Sequence, residues 1–274
     1  MTSEVAPDPA ALPAVCFSGV SVVRDGRPIL ESIDWEVGSK DRWVVLGPNG
    51  SGKTTLLQVA GARLMPSRGT VSVVGEQFGR SDLRTVRARV SLVSAATERA
   101  LRPSLSAREV VVTGKDGALY PLGHRYSQED WAAADRTLER VMGPEAAPLS
   151  DAAFGVLSEG ERQQVLIARS LMGAAELILL DEPASGLDLA ARERLVARLG
   201  ALACEPGVPA VVLVTHHLEE VPFGFTHGLL LAAGRVLAAG RLEDVLTGPL
   251  VSRCFGVRVH VEQRDGRWWA RARL

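Results

Sequence analysis

Two hydrophobic patterns alternate along this chain: short, nearly continuous apolar runs, and longer stretches with apolar residues at helical spacing. Residues 15–23 and 29–37 read as strands, and Arg24-Asp25-Gly26-Arg27 between them has the chemistry of a tight hairpin turn. Residues 42–46, 69–75 and 90–93 predict further strands, so the first third combines antiparallel pairing with one strand–loop–helix unit over 43–60. From residue 104 to 172 the pattern turns helical. Stretches 106–112, 127–142 and 159–171 carry apolar residues at helical spacing, with Ser127 and Ser158 placed as N-caps. The runs 177–180 and 211–214 are wholly aliphatic and are separated by a helical stretch, 189–202, that Asp188 can cap. Such runs describe strands buried on both faces of a parallel sheet and joined by a crossover. At the end, 257–263 and 268–273 flank Arg264-Asp265-Gly266-Arg267, a second hairpin signal. The expected core is α/β. Its organisation reads as a lead-in over 1–14, a main domain over 15–250 with a helical subdomain at about 96–172, and a β-hairpin extension over 251–274.

Composition narrows the class. A chain of 274 residues can bury the core of one large domain, or of a domain with a subdomain. Its net charge of -1 and pI near 6.5 argue against a basic footprint for nucleic acid spread over the surface, so no nucleic-acid partner is expected beyond a local patch. No apolar run reaches the roughly 18 residues of a membrane span. The longest, 208–214 and 228–240, are strand-length or interrupted by Arg235. Residues 1–14 lack the positive start and apolar centre of a secretion signal and read as disordered. Cys16 follows Ala14-Val15 as a lipid-attachment cysteine does, but without that apolar centre it reads as a small core residue. Cys16, Cys204 and Cys254 form neither metal-ligand spacing nor a disulfide framework, which fits a reducing cytoplasm.

The candidate chemistry begins at Gly47-Pro48-Asn49-Gly50-Ser51-Gly52-Lys53-Thr54-Thr55, which fills the G-x-x-x-x-G-K-[ST] pattern between an apolar run and a helix-like segment. Three glycines let successive backbone N–H groups converge on one anion, and the helix that follows presents unpaired amides and its positive dipole end. Lys53 adds a full charge for β- and γ-phosphates, and Thr54 offers the hard oxygen that Mg²⁺ prefers. A glycine-rich surface turn is the plain alternative, and the strand before and helix after argue against it. Downstream, 177–183 puts Asp181 and Glu182 where a buried strand emerges. There Asp181 can hold Mg²⁺ and Glu182 can orient and deprotonate an attacking water; alternation along a strand would point the two carboxylates to opposite sides.

These segments occur in a familiar order: the phosphate loop, Leu157-Ser158-Glu159-Gly160-Glu161-Arg162-Gln163-Gln164, then 177–183, Ser185-Gly186-Leu187-Asp188, and Val214-Thr215-His216. The chain resembles the ATP-binding-cassette (ABC) ATPases over roughly residues 15–245, and the Leu-Ser-x-Gly-Glu segment separates that family from other P-loop proteins. The resemblance implies a P-loop NTPase (RecA-like) core with an antiparallel β subdomain and a helical subdomain. It implies ATP and Mg²⁺ as ligands and a head-to-tail dimer with a second copy, in which Ser158 and Gly160 of one subunit meet the γ-phosphate held by Lys53 of the other. Asp188 matches the residue that links the two sites, and an N-cap role for it is compatible. His216 matches the switch histidine that contacts the γ-phosphate and steadies the attacking water. His216-His217 with Glu219-Glu220 also resembles a metal cluster, but adjacent histidines at a strand end are expected to diverge.

The chain departs from the family's pattern in places. Arg24 stands where an aromatic residue usually stacks on adenine; a guanidinium can stack on a base, or Arg24 is a solvated turn residue. Ser94-Ala95 stand where a glutamine usually follows the strand ending near 93, and Glu159 and Glu161 replace the commonest Gly and Gln of the signature. Trp35 and Trp43 read as core, and the Trp268-Trp269 pair as a packed hairpin with one ring inward rather than a stacking or membrane-contact site. The resemblance implies a separate ATPase subunit, cytoplasmic and peripheral on the inner face of the membrane, that docks through its helical insertion onto permease subunits. A stand-alone cassette is similar to importer components, and 214–228 and 254–259 resemble cassettes serving iron-chelate and related uptake. The competing expectation is a soluble ABC ATPase acting on ribosomes or DNA.

Overall fold

The computed structural model describes residues 12–122 and 124–272. The chain opens with β1 (Val15–Arg24) and β2 (Arg27–Val37), a hairpin whose turn residues Asp25 and Gly26 both have positive φ, as the right-handed strand twist requires of a two-residue turn. Next come β3 (Arg42–Leu46), α1 (Lys53–Ala60), β4 (Arg68–Val73) and the two-residue β5 (Glu76–Gln77). Strands β2, β1, β4 and β5 form one antiparallel sheet in that order. The expected lead-in over 1–14 divides. Residues 1–11 lie outside the described residues, whereas Ala14 is buried and exchanges backbone hydrogen bonds with Val37 and Val74.

The helical part begins with α2 (Leu83–Arg89), continues after β6 (Val90–Val93) through α3 (Ala95–Ala100) and α4 (Ala107–Val112), and is completed by α5 (Gln128–Met142), α6 (Ala146–Leu149) and α7 (Glu159–Met172). Periodicity misses α2 and α3 for a physical reason. α2 buries only Val86 and α3 buries nothing, so neither carries an apolar stripe. The remainder is β7 (Leu177–Asp181), α8 (Leu189–Cys204), β8 (Ala210–Thr215), β9 (His227–Ala232), β10 (Arg235–Arg241), α9 (Leu242–Val245), α10 (Gly248–Phe255), β11 (Val259–Arg264) and β12 (Arg267–Ala272). Helix α10 spans residue 251, so the terminal hairpin occupies 259–272. The apolar stretch 228–240, interrupted by Arg235, is the β9–β10 hairpin.

A six-stranded sheet in the order β10-β9-β3-β8-β7-β6 carries the molecule, with β9, β3, β8, β7 and β6 parallel. Its aliphatic runs are continuous because both faces are covered. Val44, Leu46, Ile178, Leu180, Val211 and Leu213 enter the core shared with the helices. Their strand neighbours Trp43, Val45, Leu177, Leu179, Val212 and Val214 enter the core beneath α1 and the antiparallel sheet.

Candidate active site

Parallel register gathers the chemistry at one edge of the central sheet. Leu46 pairs with Thr215 across β3 and β8, and Val214 pairs with Asp181 across β8 and β7, so the three strands end side by side. Ligands of open α/β sheets bind outside the carboxyl ends of such strands. The loop 47–52 leaves β3 there and winds directly into α1. Gly52, at φ 104°, occupies the N-cap position without a capping side chain, so the first amides of α1 stay free of an intrahelical or cap partner. A Cβ on Gly47 would stand 2.1 Å from the Leu231 carbonyl oxygen, and one on Gly52 would stand 2.8 Å from Leu30 Cδ2. The loop therefore lies against β2 on one side and β9 on the other.

Within the loop, the Ser51 N–H donates to the Pro48 carbonyl, and the Ser51 carbonyl accepts from Gly234 N at 3.1 Å. The Ser51 hydroxyl, 2% exposed as a residue, has no hydrogen-bond partner. Lys53 is 5% exposed; its Nζ donates to the Gly47 and Pro48 carbonyls at 2.9 and 3.1 Å and stands 3.6 Å from Glu182 Oε1. Thr54 Oγ1 donates to Asp181 Oδ1 at 3.2 Å. Burial pushes the Asp181 carboxyl above its ordinary pKa and the neighbouring Glu182 adds to this, while the Thr54 hydrogen bond and Lys53 oppose it. Such a desolvated carboxylate beside a hydroxyl matches the hard-oxygen donor set of Mg²⁺, and an unpartnered hydroxyl in an amide-lined loop matches a phosphate.

Asp181 and Glu182 differ from the strand-alternation expectation. Glu182 has left the strand: its φ is +50°, and its N–H donates to the Val214 carbonyl at 3.0 Å. That turn brings its carboxylate to Lys53 and also to His216, whose Nδ1 lies 3.3 Å from Glu182 Oε1 without the alignment of a hydrogen bond. The His216 and His217 rings do not diverge; their centroids are 4.0 Å apart. Strand direction alone misplaces them because β8 ends at Thr215.

Several of the remaining candidates lie on other surfaces. Ser158 is exposed at the N-terminus of α7, where its hydroxyl accepts from Glu161 N and its own N–H donates to Glu161 Oε2 at 2.7 Å. Gly160 is buried, and a Cβ there would meet Ala191 Cβ at 3.1 Å. Asp188 is exposed and caps α8 through Ala191 N at 2.8 Å. Arg24 is exposed at the β1–β2 turn, paired in register with Arg27. Ile29, two positions beyond Arg27 on β2, places its carbonyl against Gly52, so the β1–β2 turn that carries Arg24 adjoins the strand on which the phosphate loop rests. Asn49, Gly50 and Thr55 sit in the loop and first helical turn as expected. Ser94 caps α3 and lines a cleft of about 860 Å³ together with Thr54 and Asp181. Gly234 and Leu231, which support the loop from behind, escaped sequence reasoning; the only local trace is the Gly234 turn between two apolar halves.

The ABC transporter family profile matches residues 30–185. YlmA of Bacillus subtilis (strain 168), an uncharacterised ABC transporter ATP-binding protein, is 38% identical over 246 residues, covering 89% of this chain and 92% of its own. The hemin import ATP-binding protein HmuV of Rhodococcus jostii (strain RHA1) is 33% identical over 256 residues, covering 93% of this chain and 84% of its own. Among solved structures, the dimer of the ATP-binding cassette MJ0796 bound to ADP and phosphate is similar, with a TM-score of 0.70, 25% identity, and coverage of 83% of this chain and 98% of that one.

Proposed function

Because the chain belongs to the ABC transporter family, we propose that it is the ATPase subunit of an importer, working as a head-to-tail pair beneath separate membrane subunits. ATP binding and ATP hydrolysis that drives transport come with the family. The observation that carries the finer reading is the meeting of Lys53, Thr54, Asp181, Glu182 and His216 at one sheet edge beside the free first amides of α1. In this reading the amides of 47–55 and the Lys53 ammonium take the β- and γ-phosphates, and the Ser51 hydroxyl completes that cradle. Thr54 and Asp181 would hold Mg²⁺, which when bound neutralises charge on the phosphates. Phosphate replaces Glu182 as the counter-charge of Lys53, and this releases the Glu182 carboxylate to accept a proton from the attacking water. His216, already against Glu182, orients that water. Ser158 and the amides of α7 on a second copy close over the γ-phosphate, Asp188 lies at the same joint, and Arg24 stacks on the base.

Import of a metal chelate or hemin-like cargo is supported by the relative named for hemin import. No helix among the described residues is long and apolar enough to cross a membrane. A place on the cytoplasmic face, docked onto permease subunits, follows from this reading. The test is affinity purification of the tagged chain from its own cells in mild detergent. Recovery with an integral membrane protein and an ATP-dependent dimer is expected; recovery with ribosomes instead would overturn the transport reading.

A further inference from the structure

The segment after His216 is held from two sides by groups that the hydrolytic chemistry does not use. From within, Glu220 is 6% exposed and accepts a hydrogen bond from the Thr215 hydroxyl, whose oxygen accepts in turn from His217 N at 3.1 Å. His216 thus lies between two residues tied to one buried carboxylate. From outside, Arg267 at the start of β12 donates from Nη1 and Nη2 to the two carboxylate oxygens of Glu193 at 2.9 and 3.4 Å. The same Nη2 donates to the Glu219 carbonyl at 2.5 Å. Glu193 lies on α8, the helix that Asp188 caps, and Glu219 lies in the 3₁₀ turn Leu218–Glu220. Trp268 packs against the main core while Trp269 is 43% exposed, so the hairpin is anchored beside the clamp. A planar guanidinium held at three acceptors on two elements has one geometry, unlike a solvated surface ion pair.

We propose that Arg267 is a positioning residue for ATP hydrolysis: by locking the turn 218–220 to α8 it holds His216 at Glu182 and makes turnover depend on how the C-terminal hairpin is seated. The proposal rests on the reading of His216 as the group that orients the attacking water. Its mechanical content is simple. Releasing Arg267 frees the turn on its solvent side, His216 samples positions away from Glu182, and ATP binds as before but is cleaved less often.

The experiment measures steady-state ATP turnover and nucleotide affinity of the full chain for Arg267→Ala, Arg267→Lys, His216→Ala and the pair Arg267→Ala/His216→Ala, with thermal unfolding in parallel. Arg267→Ala should lower kcat about tenfold with KM for ATP changed by less than about twofold, and Arg267→Lys, which keeps the charge and one donor nitrogen but not the planar fork, should recover part of the loss. In the His216→Ala background, Arg267→Ala should cost nothing more. An unchanged kcat in Arg267→Ala, or losses that multiply in the pair, overturns the proposal. Normal kcat in His216→Ala alone overturns the underlying reading and this proposal with it, and that single variant tells the two failures apart. If Arg267→Ala unfolds, Glu193→Gln keeps the side-chain shape and the bond to the Glu219 carbonyl; it should fold normally with reduced kcat, and full activity in it refutes the clamp.

Discussion

Lys53 and Glu182 form an ion pair at 3.6 Å in which one partner is almost wholly buried, and this pairing separates their expected mutant behaviours. Lys53→Ala removes the charge proposed to hold the phosphates, so nucleotide affinity should fall below detection in an equilibrium binding assay. Glu182→Gln keeps size and hydrogen bonding but not basicity. It should retain ATP, slow turnover by ~10²-fold or more, and accumulate a nucleotide-bound dimer in size-exclusion chromatography. Wild-type turnover in that variant would remove Glu182 from the role of base. Asp181 supplies a pH dependence of defined sign. Its carboxyl is raised in the folded chain, so folding favours its protonated form; that contribution is present below the unfolded pKa and fades as pH rises through the folded one. A bound cation favours the ionised form instead. The rise in Tm produced by Mg²⁺ and ATP should therefore be larger at about pH 7.5 than at about pH 5, and Asp181→Asn should erase the difference.

At the scale of elements, the helical subdomain is built from starts that are written locally. α4, α5 and α7 each open on a capping box: Ser106 with Glu109, Ser127 with Asp130, and Ser158 with Glu161. This explains Glu161 in the signature segment. Its carboxylate satisfies the Ser158 amide, leaving the serine hydroxyl hydrogen free to donate elsewhere. The observed cap and the proposed phosphate role of Ser158 can be pulled apart. Ser158→Ala should lower stability by about 1 kcal/mol in denaturant unfolding, whereas Ser158→Asp should keep the cap and its stability. If the proposed contact holds, both should lose ATP-driven dimerisation, and Ser158→Asp more completely, because its carboxylate would face the γ-phosphate. Wild-type dimerisation by Ser158→Asp would place the phosphate contact elsewhere. Element identity was legible wherever a stripe, cap or turn was contiguous, as at 128–142 or in the Asp-Gly hairpins. It was illegible at α2 and α3, which bury almost nothing and so carry no period to detect.

At the scale of the whole molecule, the described residues form two cores sharing one sheet, and Cys254 touches both. It is 4% exposed, its thiol donates to the Leu231 carbonyl against which Gly47 packs, and burial pushes its pKa up to about 11. Cys204 is exposed at the end of α8. A thiol reagent at neutral pH should modify Cys204 promptly and Cys254 only at the rate of global opening, slowed further by saturating ATP in Glu182→Gln. Equal rates at both sites, followed by mass spectrometry, would show that the region behind the phosphate loop opens independently.

By itself the sequence determined the phosphate loop, the order of the chemical segments, the aliphatic strands and the helix caps, because each depends on residue types within a few positions of one another. Only the tertiary structure decided that Glu182 turns back from its strand to reach Lys53 and His216, that Gly234 and Leu231 support the loop, and that Arg267 reaches the turn beyond His216. Those contacts join segments far apart in the chain. Their geometry follows from strand register and from packing on both faces of the sheet, sums over many weak contacts that no local pattern encodes.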